Sequence, residues 1–199
     1  MKKDLLTYFL LFIVSIAFGQ QDHWTKKLLP DHHKIQYAGE IGLFSASYGH
    51  SFFEKENLEL DLYLGFLPKS VGGDDITTIA LKTSFFPLKL NPRGTSLLIE
   101  PIGFGVNLYH SFGENLNKYR DTDKYPENYY WWTIRTRIAP FITGRFGHAI
   151  KEGNFKSLHL YYELGTNDLY FFSWYENRES FPLHKIINFS LGICLKYRK

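Results

Sequence analysis

Residues Leu58 to Leu67 read Leu-Glu-Leu-Asp-Leu-Tyr-Leu-Gly-Phe-Leu. Leu58, Leu60, Leu62, Leu64 and Phe66 share one parity, and Glu59, Asp61, Tyr63 and Gly65 share the other. Side chains alternate across a strand, so one face is wholly apolar and the other carries two acids. The same alternation recurs. Leu158, Leu160, Tyr162 and Leu164 oppose His159, Tyr161 and Glu163. Ile187, Phe189, Leu191, Ile193, Leu195 and Tyr197 oppose Asn188, Ser190, Gly192, Cys194 and Lys196. A helix cannot present such faces, so the chain is all-β.

The N-terminus carries a different signal. Lys2 and Lys3 precede an apolar run from Leu5 to Phe18, and Ala17 and Gly19 have the spacing of a cleavage site. The run is shorter than the roughly 20 residues of a spanning helix, so cleavage after Gly19 is expected. Residues 20–33 read as an irregular lead-in and residues 34–199 as one domain. The single cysteine, Cys194, excludes an intrachain disulfide, and a formal charge of +3 gives no reason to invoke nucleic acid.

Eight strands are expected, at about 34–52, 58–67, 76–86, 96–112, 129–146, 157–165, 169–175 and 185–197. Gly72-Gly73 and Asn91-Pro92 mark turns between them, and Gly113 to Asn128 is the longest polar stretch, a surface loop. In the fourth strand Glu100 has the parity of apolar Ile102, Phe104, Val106 and Leu108, which a bulge near Glu100-Pro101 would reconcile. With this count the longest loop joins strands 4 and 5, the wrong end for a barrel whose termini lie beside short turns.

Apolar-out and polar-in alternation after an export signal implies a closed antiparallel up-and-down transmembrane β-barrel of about eight strands. Such a barrel is filled by side chains and is not a pore. Its interior would hold Glu40, Glu59, Asp61 and Glu163 against Lys82, Arg135, Arg137 and Lys196, with His159 among them. Aromatics form 18% of the chain, as interfacial girdles require. A secreted soluble β-sandwich or barrel binding a small ligand is the alternative if the apolar faces meet each other.

The export signal, the spaced alternating segments and the final strand Phe189-Ser-Leu-Gly-Ile-Cys-Leu-Lys-Tyr197 resemble the small integral outer-membrane barrels of Gram-negative bacteria. The resemblance implies residence in outer-membrane lipid and insertion by the barrel-assembly machinery. It attaches no activity to the chain, so a structural or surface-interaction role is expected, with an unidentified surface ligand. Pro68 to Asp75 and Glu163 to Tyr170 look like signatures within that class.

Some small barrels modify lipid A as acyl hydrolases or acyltransferases, which requires a serine, a histidine base and an orienting carboxylate. His159 and Glu163 lie about 13 Å apart on a regular strand and cannot touch. Ser84, Ser173 and Ser190 sit in no nucleophile motif, so no catalytic residue is expected. His32 and His33 point opposite ways in an extended chain and, with His23, chelate metal poorly. Asp74, Asp75, Asn167 and Asp168 would share a barrel rim and could hold Ca²⁺, but such residues are ordinary turn formers. No metal or cofactor is expected.

Overall fold

The computed structural model describes residues 29–114, 116, 135–179 and 182–198. The expected signal segment, His23 and most of the Gly113–Asn128 stretch with the aromatics following it lie outside them. From Asp31 onward the chain forms one unit. Its eight strands are β1 (His32–Tyr37), β2 (Phe44–Phe52), β3 (Leu58–Leu67), β4 (Ile76–Phe85), β5 (Leu97–Phe112), β6 (Thr136–Ala149), β7 (Phe155–Gly165) and β8 (Asn188–Tyr197). Each strand pairs antiparallel with its neighbours in sequence, and β8 returns to β1, with His32 opposite Lys196 and Tyr37 opposite Leu191. The sheet has no free edge.

The total of eight agrees with the sequence expectation through two compensating differences. The stretch 34–52 is broken in two. Ala38, Gly39 and Gly42 take left-handed φ values of 61°, 93° and 141°, which reverse the chain and fold Ile41 into the barrel mouth, where it is 1% exposed. A side chain at Gly42 would meet the Phe66 backbone at 2.9 Å, so only glycine fits there. The segment 169–175 is a helix, α2 (Asp168–Glu176), following a one-turn α1 (Lys69–Gly72). Its aromatic residues favour strand, but Asn167 caps the helix by accepting from the Tyr170 amide at 2.9 Å, and Asp168 complements the N-terminal dipole. Local capping outweighs composition.

The first change moves the expected second to sixth strands one place on, the second leaves the last strand eighth, and together they resolve the loop anomaly. At the end where β1 begins and β8 finishes, the connections span residues 53–57, 86–96 and 150–154. At the other end they span 38–43, 68–75, 113–135 and 166–187, so the two longest lie together, opposite the start of β1 and the finish of β8. The bulge expected near Glu100-Pro101 is present: the β5–β6 register shifts between Glu100 and Gly103, leaving Glu100 buried and Ile102 exposed.

Every strand turns an apolar face outward, including Ile35 at 66% exposure, Leu62 and Ile193 at 52% and Leu160 at 57%. The inward parity is polar. Among the described residues the buried apolar cluster is small, Ile41, Tyr63, Ala80, Tyr109 and Ala139, and no helix is long and apolar enough to cross a membrane.

Candidate functional site

Three polar tiers fill the lumen. The tier nearest the termini centres on Glu59 and Asp61 of β3, both fully buried. Lys34 Nζ lies 2.6 Å from Asp61 Oδ2 and 2.9 Å from Glu59 Oε2, and Lys196 Nζ lies 2.7 Å from Glu59 Oε1. Arg145 Nη1 donates to both Glu59 oxygens at 2.9 and 3.0 Å, while its Nε donates to Glu100. Its guanidinium also stacks 3.9 Å from the Phe86 ring centroid. Buried charges are tolerable only when paired and hydrogen-bonded in this way.

At the adjoining turns, Lys89 lies 3.0 Å from Glu100 Oε1. Burial, followed by the nearby Lys196 and Arg145 charges, outweighs its acid partners and pulls its ammonium down to about 8. Burial alone would raise the Glu56 carboxyl, but the Lys156 hydrogen bond and the Lys196 charge prevail and hold it below its ordinary value.

In the middle tier Lys82 Nζ donates to Glu163 at 2.8 and 3.0 Å and to Gln36 Oε1 at 2.8 Å. It also sits 4.3 Å from the Tyr63 ring centroid. Tyr161 donates to Gln36 at 3.1 Å, and Ser190 donates to Glu163 at 3.3 Å. In the tier below the long connections, Glu40 accepts from Tyr109 and Asn167, each at 2.9 Å, and from Asn188. Arg137 pairs with Asp168 at 3.4 Å.

The residues expected inside divide as follows. Glu59, Asp61, Lys82, Glu163 and Lys196 meet in ion pairs, and Glu40 binds neutral donors. Arg137 reaches Asp168 of α2 and no strand carboxylate among those described. Arg135 precedes β6 and is only half buried, and no ion pair to it is found among the described residues. The guanidinium that neutralises the interior is Arg145, which sequence reasoning missed although it lies within the expected strand 129–146 and shares the parity of Arg135 and Arg137. His32, Lys34, Gln36 and Glu100 were missed with it. The β1 alternation Lys34, Gln36 against Ile35, Tyr37 carried the signal for two of them.

At the proposed rim, Asp75 accepts from the Lys69 amide at 2.8 Å and Asp74 from the Asp75 amide at 2.9 Å. Asn167 caps α2. These oxygens form turns and caps. His33 points away from His32, its Nδ1 donating to the Ser47 carbonyl at 3.0 Å, while His32 faces inward. His32, Glu59 and Asp61 do bring ligand atoms within 4.8 Å of one another, but the Lys34 ammonium bridges both carboxylates, so the cation of this cluster is part of the chain.

One chain of contacts spans three strands. Ser51 Oγ lies 3.3 Å from His32 Nδ1, and His32 Nε2 lies 2.9 Å from Asp61 Oδ1. It does not involve His159, whose Nε2 lies 2.8 Å from Ser157 Oγ. Glu163 is occupied by Lys82, so His159 and Glu163 do not form a pair. Comparison of the chain with protein-family models, curated proteins and solved structures gives no match. The fold and lumen define the class: a closed eight-stranded antiparallel barrel with an ion-paired interior.

Proposed function

We propose that this chain is an integral outer-membrane β-barrel, exported through its N-terminal signal and inserted by the barrel-assembly machinery, with a structural or surface-interaction role. The observation that carries the reading is the inverted distribution of polarity. Large apolar side chains stand exposed on all eight strands, while Glu59, Asp61, Lys82 and Arg145 are at most 1% exposed. A continuous apolar belt is far larger than the patches that monomers expose to water, and hydrocarbon is the solvent that favours it. The grouping of the two longest connections away from the termini supports the same reading. With the lumen filled, conduction is not the role, and the surface carrying connections 113–135 and 166–187 is where a partner would bind.

Membrane fractionation followed by a heat-modifiability gel tests this. A folded barrel of this class runs differently before and after boiling. Protein recovered wholly in the soluble fraction, with one mobility, refutes the placement.

A lipid A-modifying hydrolase is the second reading, favoured only by the Ser51–His32–Asp61 chain. Against it, His32 is fully buried and Asp61 is already held by Lys34 and Ser47. Mass spectrometry of lipid A from cells carrying the protein or its Ser51→Ala variant separates the two: an acyl change dependent on Ser51 establishes the hydrolase, and identical profiles exclude it.

A further inference from the structure

Helix α2 has no buried residue. Tyr170, Phe171, Phe172 and Tyr175 are all exposed, Phe172 at 52% and Tyr175 at 58%. One residue turns a helix by about 100°, so the first three rings stand on three sides and Tyr175 falls between Phe171 and Phe172. Half-buried Trp174 joins them, its ring 6.0 Å from that of Phe171. A helix apolar on so many sides is ordinarily buried inside a protein. This one packs chiefly against β6 and against the turn Leu183–Ile186 that leads into β8, and its rings remain uncovered.

Two features identify its surroundings. The first is position. α2 leaves β7 shortly after Leu164 and the chain returns to β8 through Leu183, Ile187 and Phe189, every one an exposed apolar side chain. The helix therefore rises from the edge of the outward apolar belt. The second is the spread of its rings. A helix that docks in a protein groove offers one stripe, at i, i+3, i+4 and i+7. Rings spread over about 200° suit a fluid that wraps the helix. Its ends are polar. Asn167 donates to Glu40 at 2.9 Å and Asp168 pairs with Arg137, which fixes the N-terminus to the lumen mouth. Glu176, Asn177, Arg178 and Glu179 follow the rings, all exposed, with Arg178 stacked 5.6 Å from the Tyr175 ring centroid. An apolar middle of Tyr, Phe and Trp between polar ends has the chemistry of the headgroup–acyl boundary, where amphipathic rings concentrate. Arg178 and Lys185 are offset by Glu176 and Glu179, so ring burial, and not attraction to an anionic surface, supplies the affinity.

Building on the membrane placement proposed above, we propose that α2 is a lipid anchor, seated outside the barrel wall in the headgroup–acyl boundary of the leaflet at the end carrying the long connections. The ties to Glu40 and Arg137 hold the helix to the mouth, so its depth in lipid fixes the depth of the barrel.

The test is depth-dependent quenching of the full chain folded into phosphatidylcholine vesicles. In a Cys194→Ser background, one environment-sensitive label at a time is attached at Ser173→Cys, where no ring is lost, at Phe172→Cys, or at Leu62→Cys on the belt as reference. Lipids carrying a nitroxide near the glycerol or near the chain end quench according to depth. Both helix labels are expected to lose emission mainly to the shallow nitroxide, and the Leu62 label mainly to the deep one. Adding anionic lipid leaves that pattern unchanged. A quenched Leu62 label with unquenched helix labels overturns the anchor and leaves the membrane placement standing. Absence of quenching at all three positions overturns both. Helix labels shielded from aqueous iodide yet untouched by either nitroxide show that protein, a second copy or a partner, covers α2, and overturn the lipid assignment. Helix quenching that requires anionic lipid overturns the anchoring by rings.

Discussion

Replacing Arg145 with Met removes the centre of the lumen while keeping much of the side-chain volume. Arg145 is 1% exposed and binds Glu59 through Nη1 and Glu100 through Nε. Glu59 would keep Lys34 and Lys196, and Glu100 would keep Lys89, so neither acid is stranded completely. The loss is instead one charge-assisted pairing to each acid and the stacking on Phe86. Breaking a buried pair costs about 3–5 kcal/mol, and the remaining lysines place the expected value near the lower bound, about 3 kcal/mol. Urea unfolding of vesicle-folded protein, read by tryptophan fluorescence, measures it. Adding Glu59→Gln should recover part of the loss, with a coupling of about 1–3 kcal/mol in the double-mutant cycle. A cost under about 1 kcal/mol for Arg145→Met, at unchanged slope, would refute the view that these contacts hold the interior together. Arg135→Ala, at the rim, should cost under about 1 kcal/mol in the same assay.

Leu62 and Leu191 face outward at 52% and 42% exposure, so Arg at either mid-strand position should cost roughly 2–4 kcal/mol in bilayers; unchanged folding yield would oppose a lipid-facing surface. Gly49→Ala would place a Cβ 2.3 Å from His32 Nε2 and 2.4 Å from Asp61 Oδ1, so it should lower the unfolding midpoint sharply, whereas Gly94→Ala, with nothing near, should be limited to backbone strain. Lys89, at about 8 when folded, lies below the ordinary value near 10.4. The unfolded chain then binds the extra proton between those values, so this group makes stability rise with pH from about 8 to 10. Lys89→Met should remove that increment, and an identical slope in the variant would refute the assignment.

The sequence made the sheet legible where alternation was strict. Residues 58–67 coincide with β3 and the apolar faces of β4, β7 and β8 point outward as expected, because a two-residue period leaves one register. It failed where turn chemistry was concealed by strand-like composition. Ala38 to Gly42 continues a Gly-rich run but needs left-handed backbone, and Leu169 to Tyr175 is aromatic yet capped as a helix. The interior acids were readable by parity. Lys82 and Lys196 were readable in the same way, but which cation meets which acid was not, since Arg145 reaches Glu59 across 86 residues of sequence and such pairing depends on closure, which no local pattern encodes.

The seam between β1 and β8 has a consequence for assembly. Glu59 draws its cations from β1, β6 and β8, so its neutralisation is complete only after the last strand has docked beside the first. A partly formed sheet with its lumen already shut off from water would carry that carboxylate short of a partner, at a cost of several kcal/mol. The charged interior thus acts as a completion checkpoint. On the membrane reading proposed above, it penalises release of an unclosed intermediate into lipid and makes sealing of the seam, through Lys34 and Lys196 converging on one acid, the event that commits the chain to its final state.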